Sequence, residues 1–228
     1  MTVLQYLVES VRFVPYVALC VALFALFAKW QEKPRLRVVL PKDNHVMGQD
    51  AQSAWRFVHV AVENPRLNPI VARLTYRQAA QDTRLQLEYS ASDGSLPKFG
   101  FDGRWSGNPE PVQMRVVNGQ LQLVFDPWLV HTGRFKAIVS GAGWEAVALA
   151  VKVQGDDDCY GFTNESYQID PSNDKDHWRL SKYRLPKGTY RVTATAVSGE
   201  VRSKPEVFVL HNDGPDRTDL WLDIPRRG

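Results

Sequence analysis

The hydrophobic pattern divides the chain at about residue 35, where a helical pattern gives way to an alternating one. Before that point, Phe13–Ala28 reads FVPYVALCVALFALFA and contains no charged residue. Sixteen residues of α-helix span about 24 Å, slightly less than the roughly 30 Å of a hydrocarbon core. Trp30 lengthens the apolar run, and the long side chains of Arg12 and Lys29 can reach outward so that their charged ends lie in water. The pattern therefore predicts a transmembrane helix at residues 13–30, with the lipid bilayer as its partner.

Two other interpretations of the apolar run remain open. A cleaved signal peptide normally begins with more positive charge, whereas Glu9 offsets Arg12 here, and no small-residue cleavage site follows Leu26. A helix in a protein core would carry a polar face, and this run has none. Both arguments favour a retained membrane anchor.

The residues that flank the anchor bear on its orientation. Residues 1–12 form a tail whose apolar residues fall on one helical face, which is typical of an interfacial helix continuous with the span. Basic residues follow the anchor more densely than they precede it, and the positive-inside tendency then places the body of the protein in the cytoplasm. These basic residues are Lys29, Lys33, Arg35 and Arg37.

After residue 35 the sequence alternates with a period of two, as half-buried β-strands do. Arg84–Ser90 and Gly188–Val197 both alternate cleanly between apolar and polar residues. Asn118 and Gly119 tolerate the positive φ angles of a two-residue hairpin turn. The arms of this predicted hairpin are Gln113–Val117 and Gln120–Phe125.

These short strands, separated by Gly, Pro, Asn and Asp clusters, predict an all-β body. The class that they favour is an immunoglobulin-like β-sandwich preceded by one transmembrane α-helix, although the Cys, Trp and Cys spacing of antibody domains is absent. We expect residues 31–53 to form a basic linker with the first strand and residues 54–228 to form one domain, with a division near Gly141 as the alternative. Further predicted strands are Arg35–Leu40, Ala54–Val62, Val71–Arg77, Ala146–Val153, Trp178–Arg184, Glu206–Leu210 and Asp219–Ile224.

Composition narrows the classes of protein to consider. Hydrophobic residues make up 44% of the chain and charged residues 23%, which favours a packed core over disorder. The net charge of +3 partly reflects the basic cluster after the anchor, and no long basic stripe follows, which argues against nucleic-acid binding. The two cysteines, Cys20 and Cys159, lie in the apolar run and in the polar body, so no disulfide framework is predicted.

The stretch Asp156–Tyr167, DDDCYGFTNESY, is the most conspicuous candidate site. Three adjacent Asp residues could offer oxygens to a metal ion, but they lack the alternate spacing of a calcium loop. Cys159 as a nucleophile would need a paired base. We expect a structural turn and strand, with a metal-dependent sensor or hydrolase as the alternative. The candidate residues are Asp156, Asp157 and Asp158 for a metal, and Cys159, Tyr160, Asn164 and Tyr167 for structural or partner contacts.

A second candidate is Trp105, in the loop sequence GRWSGNPEPV. Its indole could anchor a partner or fill the edge of the sandwich, and large aromatic residues more often pack inside. Elsewhere the sequence contains no phosphate loop, nucleophile elbow or zinc-binding motif. We therefore expect no cofactor and no enzymatic activity.

Several of these motifs together resemble a group of uncharacterised bacterial and archaeal proteins. The motifs are HVAVENP at His59–Pro65, RWSGNPEPV at Arg104–Val112, DDDCYGFTNESY, and LPKGTYRVTATA at Leu185–Ala196. The resemblance covers about Ala54 to Leu210 and implies one continuous domain and a prokaryotic source. It implies no activity, so it assigns no catalytic residue.

The anchor, the alternating body and the lack of catalytic motifs together predict a single-pass, membrane-anchored binding module. Its partner is expected to be another protein, which the sequence does not identify. The anchor would raise the concentration of the module near partners at the same membrane.

Overall fold

A computed structural model describes residues 3–49, 54–94, 98–109, 111–167, 178–199 and 201–225. Within them, one long helix, α1 (Val3–Glu32), precedes a body of strands and short helices. The strands are β1 Arg37–Val39, β2 His45–Gln49, β3 Ala54–Glu63, β4 Ala80–Ala91, β5 Phe99–Asp102, β6 Arg104–Trp105, β7 Val112–Val117, β8 Gln120–Phe125, β9 Lys136–Ile138, β10 Trp144–Val153, β11 Cys159–Gly161, β12 Arg184–Leu185, β13 Gly188–Ser198, β14 Val201–Arg202, β15 Glu206–Asn212 and β16 Leu220–Asp223. The short helices are α2 Pro127–Thr132 and the 3₁₀ turns Val71–Arg73, Asn164–Tyr167, Ser181–Tyr183 and Arg217–Asp219.

Helix α1 is longer than the predicted span of residues 13–30, because its helical backbone already begins at Val3. Pro15 consequently lies inside the helix, where it cannot donate the usual hydrogen bond to the carbonyl four residues earlier. Residues Val14–Glu32 are long and apolar enough to cross a membrane, and none of that stretch is buried. The prediction of one N-terminal helix of membrane-spanning character is thus confirmed.

The first of two compact units combines α1 and Pro34 with the segment Arg66–Gln78. The predicted strand at Val71–Arg77 is wrong, because this segment contains a 3₁₀ turn. Asn68 causes the turn: its side chain accepts a hydrogen bond from the Ile70 amide at 3.0 Å, and its carbonyl accepts one from Ala72 at 2.9 Å. The β-branched Ile70 and Val71 gave a strand signal that this local capping overrides.

The second unit contains Arg35–Pro65 and the described residues from Ala79 onward, and it is built on two antiparallel sheets. The first sheet has the order β1-β3-β10-β11-β12, with β2 also paired to β3 and β6 to β10. The second has the order β16-β15-β13-β4-β5, with β14 paired to β13 and β9 to β4. Both sheets take strands from either side of Gly141, so a boundary there would cut through each of them.

The first sheet includes strands on the N-terminal side of residue 54. Strands β1 and β2, which lie within residues 31–53, both pair with β3 and so belong to the first sheet. Strand β1 agrees with the predicted strand at Arg35–Leu40, whereas β2 was not predicted. Its polar residues and Gly48 hide the alternation that marks the other strands.

The predicted alternation is confirmed in the second sheet. Leu85, Leu87 and Tyr89 of β4 are at most 1% exposed. They belong to one hydrophobic core that also contains Val58 of β3 and Val147 of β10, so the two sheets share this core. The hairpin β7–β8 is also confirmed. Both of its turn residues, Asn118 and Gly119, have positive φ angles.

The predicted strand at Trp178–Arg184 is wrong. Its centre is a 3₁₀ turn at Ser181–Tyr183, closed by a hydrogen bond from the Tyr183 amide to the Leu180 carbonyl at 2.9 Å. Only Arg184 and the residue after it form a strand, β12, which pairs with β11.

Candidate functional site

The stretch Asp156–Tyr167 lies in the first sheet. Its centre is strand β11, which pairs with β10 on one side and with β12 on the other. A bulge in β10 frees the carbonyl of Leu149, which accepts hydrogen bonds from the Phe162 amide at 2.9 Å and from the Tyr89 hydroxyl at 3.0 Å. The bulge therefore fixes the chain as it leaves β11 for the 3₁₀ turn at Asn164–Tyr167.

Strand β6 brings Arg104 and Trp105 against β10. The Trp105 side chain is completely buried, and its indole N–H donates to the Arg134 carbonyl at 3.3 Å. An indole in this position cannot reach a partner, so Trp105 acts in packing.

The buried Arg104 guanidinium links β6 to the end of the tract. It donates to the Asn164 side-chain oxygen at 2.6 Å and to the Pro109 carbonyl at 2.7 Å, and it lies 4.7 Å from the centre of the Tyr167 ring. Asn164 is only 2% exposed, so its side chain is enclosed within the protein. This network holds the 3₁₀ turn in place through charge-assisted hydrogen bonds and a cation–π contact.

A second buried cation, Lys152, lies on the other side of the tract. Its ammonium donates to the Asn212 side-chain oxygen at 2.6 Å and to the carbonyls of Asp157 and Asp158 at 3.3 and 3.4 Å. Asn212 in turn donates to the carbonyls of Asp157 and Leu185 at 2.9 and 3.1 Å. Burial lowers the pKa of Lys152, and the nearby Cys159 and acidic residues partly offset that effect.

The Cys159 thiol is unsuited to nucleophilic chemistry. It is completely buried, and burial raises its pKa to about 12 although Lys152 lies nearby. Because the thiolate is the reactive form, the thiol at this position is inert near neutral pH.

The three Asp side chains do not converge on a common point. Asp156 forms a two-bond pair with Arg179 at 2.8 and 3.3 Å, and Asp158 accepts from Arg184 at 2.6 Å. Asp157 contributes its carbonyl to the Lys152 and Asn212 network. Among the described residues, no group of three or more His, Cys, Asp or Glu side chains is arranged to hold a metal ion.

The two tyrosines of the tract pack inside. Tyr160 is 9% exposed and Tyr167 is 4% exposed, and both belong to a second hydrophobic cluster. Tyr167 also meets Phe162 edge to face, with ring centres 5.6 Å apart. The rings of both tyrosines thus contribute to the packing of the first sheet.

A small surface cleft lies beside the Arg104 network. It has a volume of about 150 Å³, which is below the usual range of 300–1,000 Å³ for pockets that enclose a whole small molecule. The cleft is therefore suited to a single side chain or a small polar group. Its lining residues are Gly100, Phe101, Asp102, Arg134, Thr163, Asn164, Glu165 and Tyr183.

Charged groups surround one wall of this cleft. Glu165 accepts hydrogen bonds from Lys182 and, at 3.1 Å, from the Tyr183 hydroxyl. The Lys182 hydrogen bond lowers the pKa of Glu165, and Arg134 contributes in the same direction. Burial, followed by the hydrogen bond with Glu165, raises the pKa of Tyr183. The wall thus presents a carboxylate and, beside it, a phenol whose proton is held more tightly than usual.

Sequence reasoning missed both buried cations and most of the cleft. A signal for Lys152 existed, because it is the single charged residue in the apolar run Ala146–Val153. No sequence signal connects Arg134, Glu165 and Tyr183, since the sheet topology alone brings these distant residues together.

Comparison of the chain with protein-family models, with curated proteins and with solved structures gave no match. The resemblance to a bacterial and archaeal group therefore stays a prediction.

Proposed function

We propose that the protein is a single-pass, membrane-anchored binding module without catalytic activity. The observation that carries this proposal is α1, where Val14–Glu32 is apolar, long enough to span a bilayer and not buried at all. Burying so much apolar surface in lipid is strongly favourable, at roughly 25 cal/mol for each Å² removed from water. The two-sheet body, for which we propose an immunoglobulin-like sandwich, would carry the binding surface.

The chemistry of the tract supports binding over catalysis. Its thiol is buried, two of its carboxylates pair with arginines, and its inner carbonyls hold Lys152. A hydrolase or metal-dependent sensor would need some of these groups to be open to substrate or metal. The adjacent cleft admits a side chain of a protein partner more readily than a metabolite.

Exposed aromatic residues support a protein partner. Trp128 at the start of α2 is 71% exposed, Phe135 is 47% exposed and Trp144 is 51% exposed. Aromatic residues are enriched at protein interfaces, where one large side chain can supply much of the binding energy. We therefore propose that the surface carrying Trp128 takes part in partner binding.

The anchor is tested by flotation of vesicles after an alkaline wash. We expect the full chain to float with the lipid and to have the mass of the uncleaved protein. Leu23→Arg should weaken insertion by about 3 kcal/mol because it buries a charge in the helix centre, whereas Leu23→Ala should remain inserted. Wild-type protein that stays soluble, or that lacks the first 30 residues, would contradict the anchor.

The orientation proposal rests on the basic residues that follow the anchor. In sealed cells, protease added outside should leave the body intact if it lies in the cytoplasm. Digestion of the body under those conditions would reverse the proposed orientation without affecting the anchor.

Partner binding is tested by site-specific photo-crosslinking in native membranes. A crosslinker at Trp128 should give a discrete adduct. The control position is Trp221, whose indole donates to Asp213 at 2.8 Å and stacks on His211 with ring centres 3.7 Å apart. No adduct at Trp128, or equal adducts at both positions, would contradict this surface.

A metal-dependent role makes a different prediction. Added Ca²⁺ or chelator should leave thermal stability unchanged if the tract is structural, because a bound ligand would raise the stability of the native state. A rise in melting temperature with Ca²⁺ that disappears when Asp156, Asp157 and Asp158 are all replaced by Ala would favour the sensor.

A further inference from the structure

The segment Arg66–Gln78 is tied to the end of the membrane-spanning helix. The Gln78 amide donates to the Glu32 carbonyl at 2.8 Å, and the Thr75 hydroxyl donates to the Glu32 carboxylate at 2.9 Å. The Arg77 guanidinium donates to the Gln31 carbonyl at 3.5 Å. The bonds from Gln78 and Arg77 satisfy backbone carbonyls that the last helical turn leaves unpaired, and Arg77 places a positive charge at the negative end of the helix dipole.

The same segment exposes apolar side chains. Ile70 is 73% exposed, Tyr76 is 69% exposed and Leu74 is 57% exposed, although they lie within seven residues of one another. Each of them would gain by leaving water. Large exposed apolar groups concentrated in a short segment mark an interaction site rather than an ordinary surface.

The charge around these side chains is strongly positive. Residues 29–34 and 66–78 together contain five basic residues and one acidic residue, Glu32, which Thr75 already engages. Arg73, Lys29 and Lys33 are exposed to solvent. Apolar side chains interspersed with Lys and Arg are the composition by which peripheral segments bind anionic lipid surfaces.

We propose that Arg66–Gln78 is a second membrane contact, which inserts Ile70, Leu74 and Tyr76 into the headgroup region beside the helix and sets Arg73 against lipid phosphates. This inference rests on the proposed membrane anchor. The hydrogen bonds to Gln31 and Glu32 support this proposal, because they hold the segment at the end of the span, where the bilayer surface lies. Tyr76 and Trp30 then supply aromatic rings at the level where such rings accumulate in membrane proteins.

The test uses the full chain in vesicles, with a polarity-sensitive fluorophore at Ile70→Cys. Cys20→Ser removes the other exposed thiol, while Cys159 is buried and does not react. We expect bromine atoms placed high on the lipid acyl chains to quench the probe more than bromine atoms placed deep in the bilayer. Iodide in the water should quench it little.

Variants of the same segment provide the controls. Leu74→Asp with Tyr76→Asp should lift the probe out of the lipid, with loss of bromine quenching and a gain of iodide quenching. Arg73→Gln should weaken insertion about fivefold in vesicles that contain phosphatidylglycerol and have little effect in phosphatidylcholine alone.

The outcomes separate this inference from the anchor. If the chain floats with vesicles but iodide reaches the probe and bromine does not quench it, the second contact is overturned and the anchor stands. If both quenchers fail, a protein surface covers the segment, and the lipid proposal is overturned. If the chain does not float, the anchor and the second contact fail together.

Discussion

Arg104 and Lys152 are both buried cations, and the stretch Asp156–Tyr167 supplies acceptors to both of them. Each donates at 2.6 Å to an asparagine oxygen, Asn164 for Arg104 and Asn212 for Lys152. They differ in the groups that compensate the rest of each positive charge. The planar guanidinium spreads its charge over Asn164, a carbonyl and an aromatic ring, whereas the ammonium is a point charge that draws two further carbonyls toward it.

The comparison explains why an acidic tract can act as architecture. Within the described residues, neither buried cation forms a salt bridge with a carboxylate, and the tract uses its carbonyls and one amide on the inside. Its carboxylates at Asp156 and Asp158 face outward and pair with partly exposed arginines. We therefore expect the carbonyls and the Asn164 amide of the tract to stabilise the fold more than its acidic side chains do.

The largest expected effect is at the Lys152 network. Asn212→Ala removes the closest acceptor of the buried Lys152 ammonium. It also removes the hydrogen bond that the Asn212 amide donates to the carbonyl of Leu185. We expect it to lower the free energy of unfolding by about 4 kcal/mol, since loss of one partner leaves a buried charge poorly compensated. Chemical unfolding of the full chain in detergent measures this change.

The matched variant is Lys152→Met, which deletes the same contact together with the charge. It should cost less than Asn212→Ala, because a buried apolar side chain of similar length needs no acceptor. If Lys152→Met proves the more damaging of the two, the ammonium itself stabilises the fold and the comparison above is wrong.

The next largest effect is expected at His59, a buried imidazole that, in the described part of the chain, lacks the hydrogen-bond partners that Lys152 has. It lies on β3 opposite Ala148, and no side-chain hydrogen bond to it is present among the described residues. Burial, with a smaller contribution from His45, lowers the pKa of His59 from 6.5 to about 4. Between pH 6.5 and 4 the unfolded chain therefore binds a proton that the folded chain does not.

The stability that depends on His59 being buried in its neutral form is complete above pH 6.5 and is lost as the pH falls to about 4. The loss should reach about 3 kcal/mol. Unfolding measured at pH 7 and at pH 4.5 should differ less for His59→Gln than for the wild type, because carboxylates titrate in both proteins and only His59 differs. An equal pH dependence would show that His59 titrates normally in the folded state.

Gly133 tests the geometry around Arg104. A Cβ at this position would lie 2.9 Å from an Arg104 nitrogen, 3.0 Å from the Asn164 oxygen and 3.0 Å from the Leu129 carbonyl. Gly133→Ala should therefore separate the Arg104 and Asn164 pair and cost about 2 kcal/mol.

Gly107→Ala is the control for that variant. Its Cβ would meet the Lys136 ammonium at 2.8 Å, but this is the far end of a flexible side chain, which can move aside together with its partly exposed ion-pair partner Glu145. Thermal unfolding should be nearly unchanged for Gly107→Ala. Similar losses for both glycine variants would mean that general crowding, and not the Arg104 pair, sets the effect.

The fold was predictable where a local pattern decides it. The alternation of β4 and β13, the Asn118–Gly119 turn and the apolar α1 each depend on neighbouring residues, and each is present in the structure. The predictions at Val71–Arg77 and Trp178–Arg184 failed, because capping by Asn68 in the first and a 3₁₀ turn in the second override propensity.

The candidate site was less predictable, since its geometry depends on long-range pairing. The acceptors of Lys152 come from the turn before β11 and from β15, and those of Arg104 come from the Pro109 loop and the 3₁₀ turn at Asn164–Tyr167. A charged residue in an apolar run is visible in the sequence. The residues that satisfy its charge become visible only once the sheet order is known.

The smallest expected effect is at the outer side of the tract. Asp156→Asn removes the charge that Arg179 engages while keeping the size of the side chain, and both partners are 26% exposed. Partly exposed pairs are screened by water, so we expect a loss of about 0.5 kcal/mol, reduced further by added salt. Urea unfolding at low and high salt measures it, with Asn212→Ala as the reference on the inner side. A loss at Asp156 as large as that at Asn212 would mean that the carboxylates hold this region together, and the distinction between the two sides of the tract would fail.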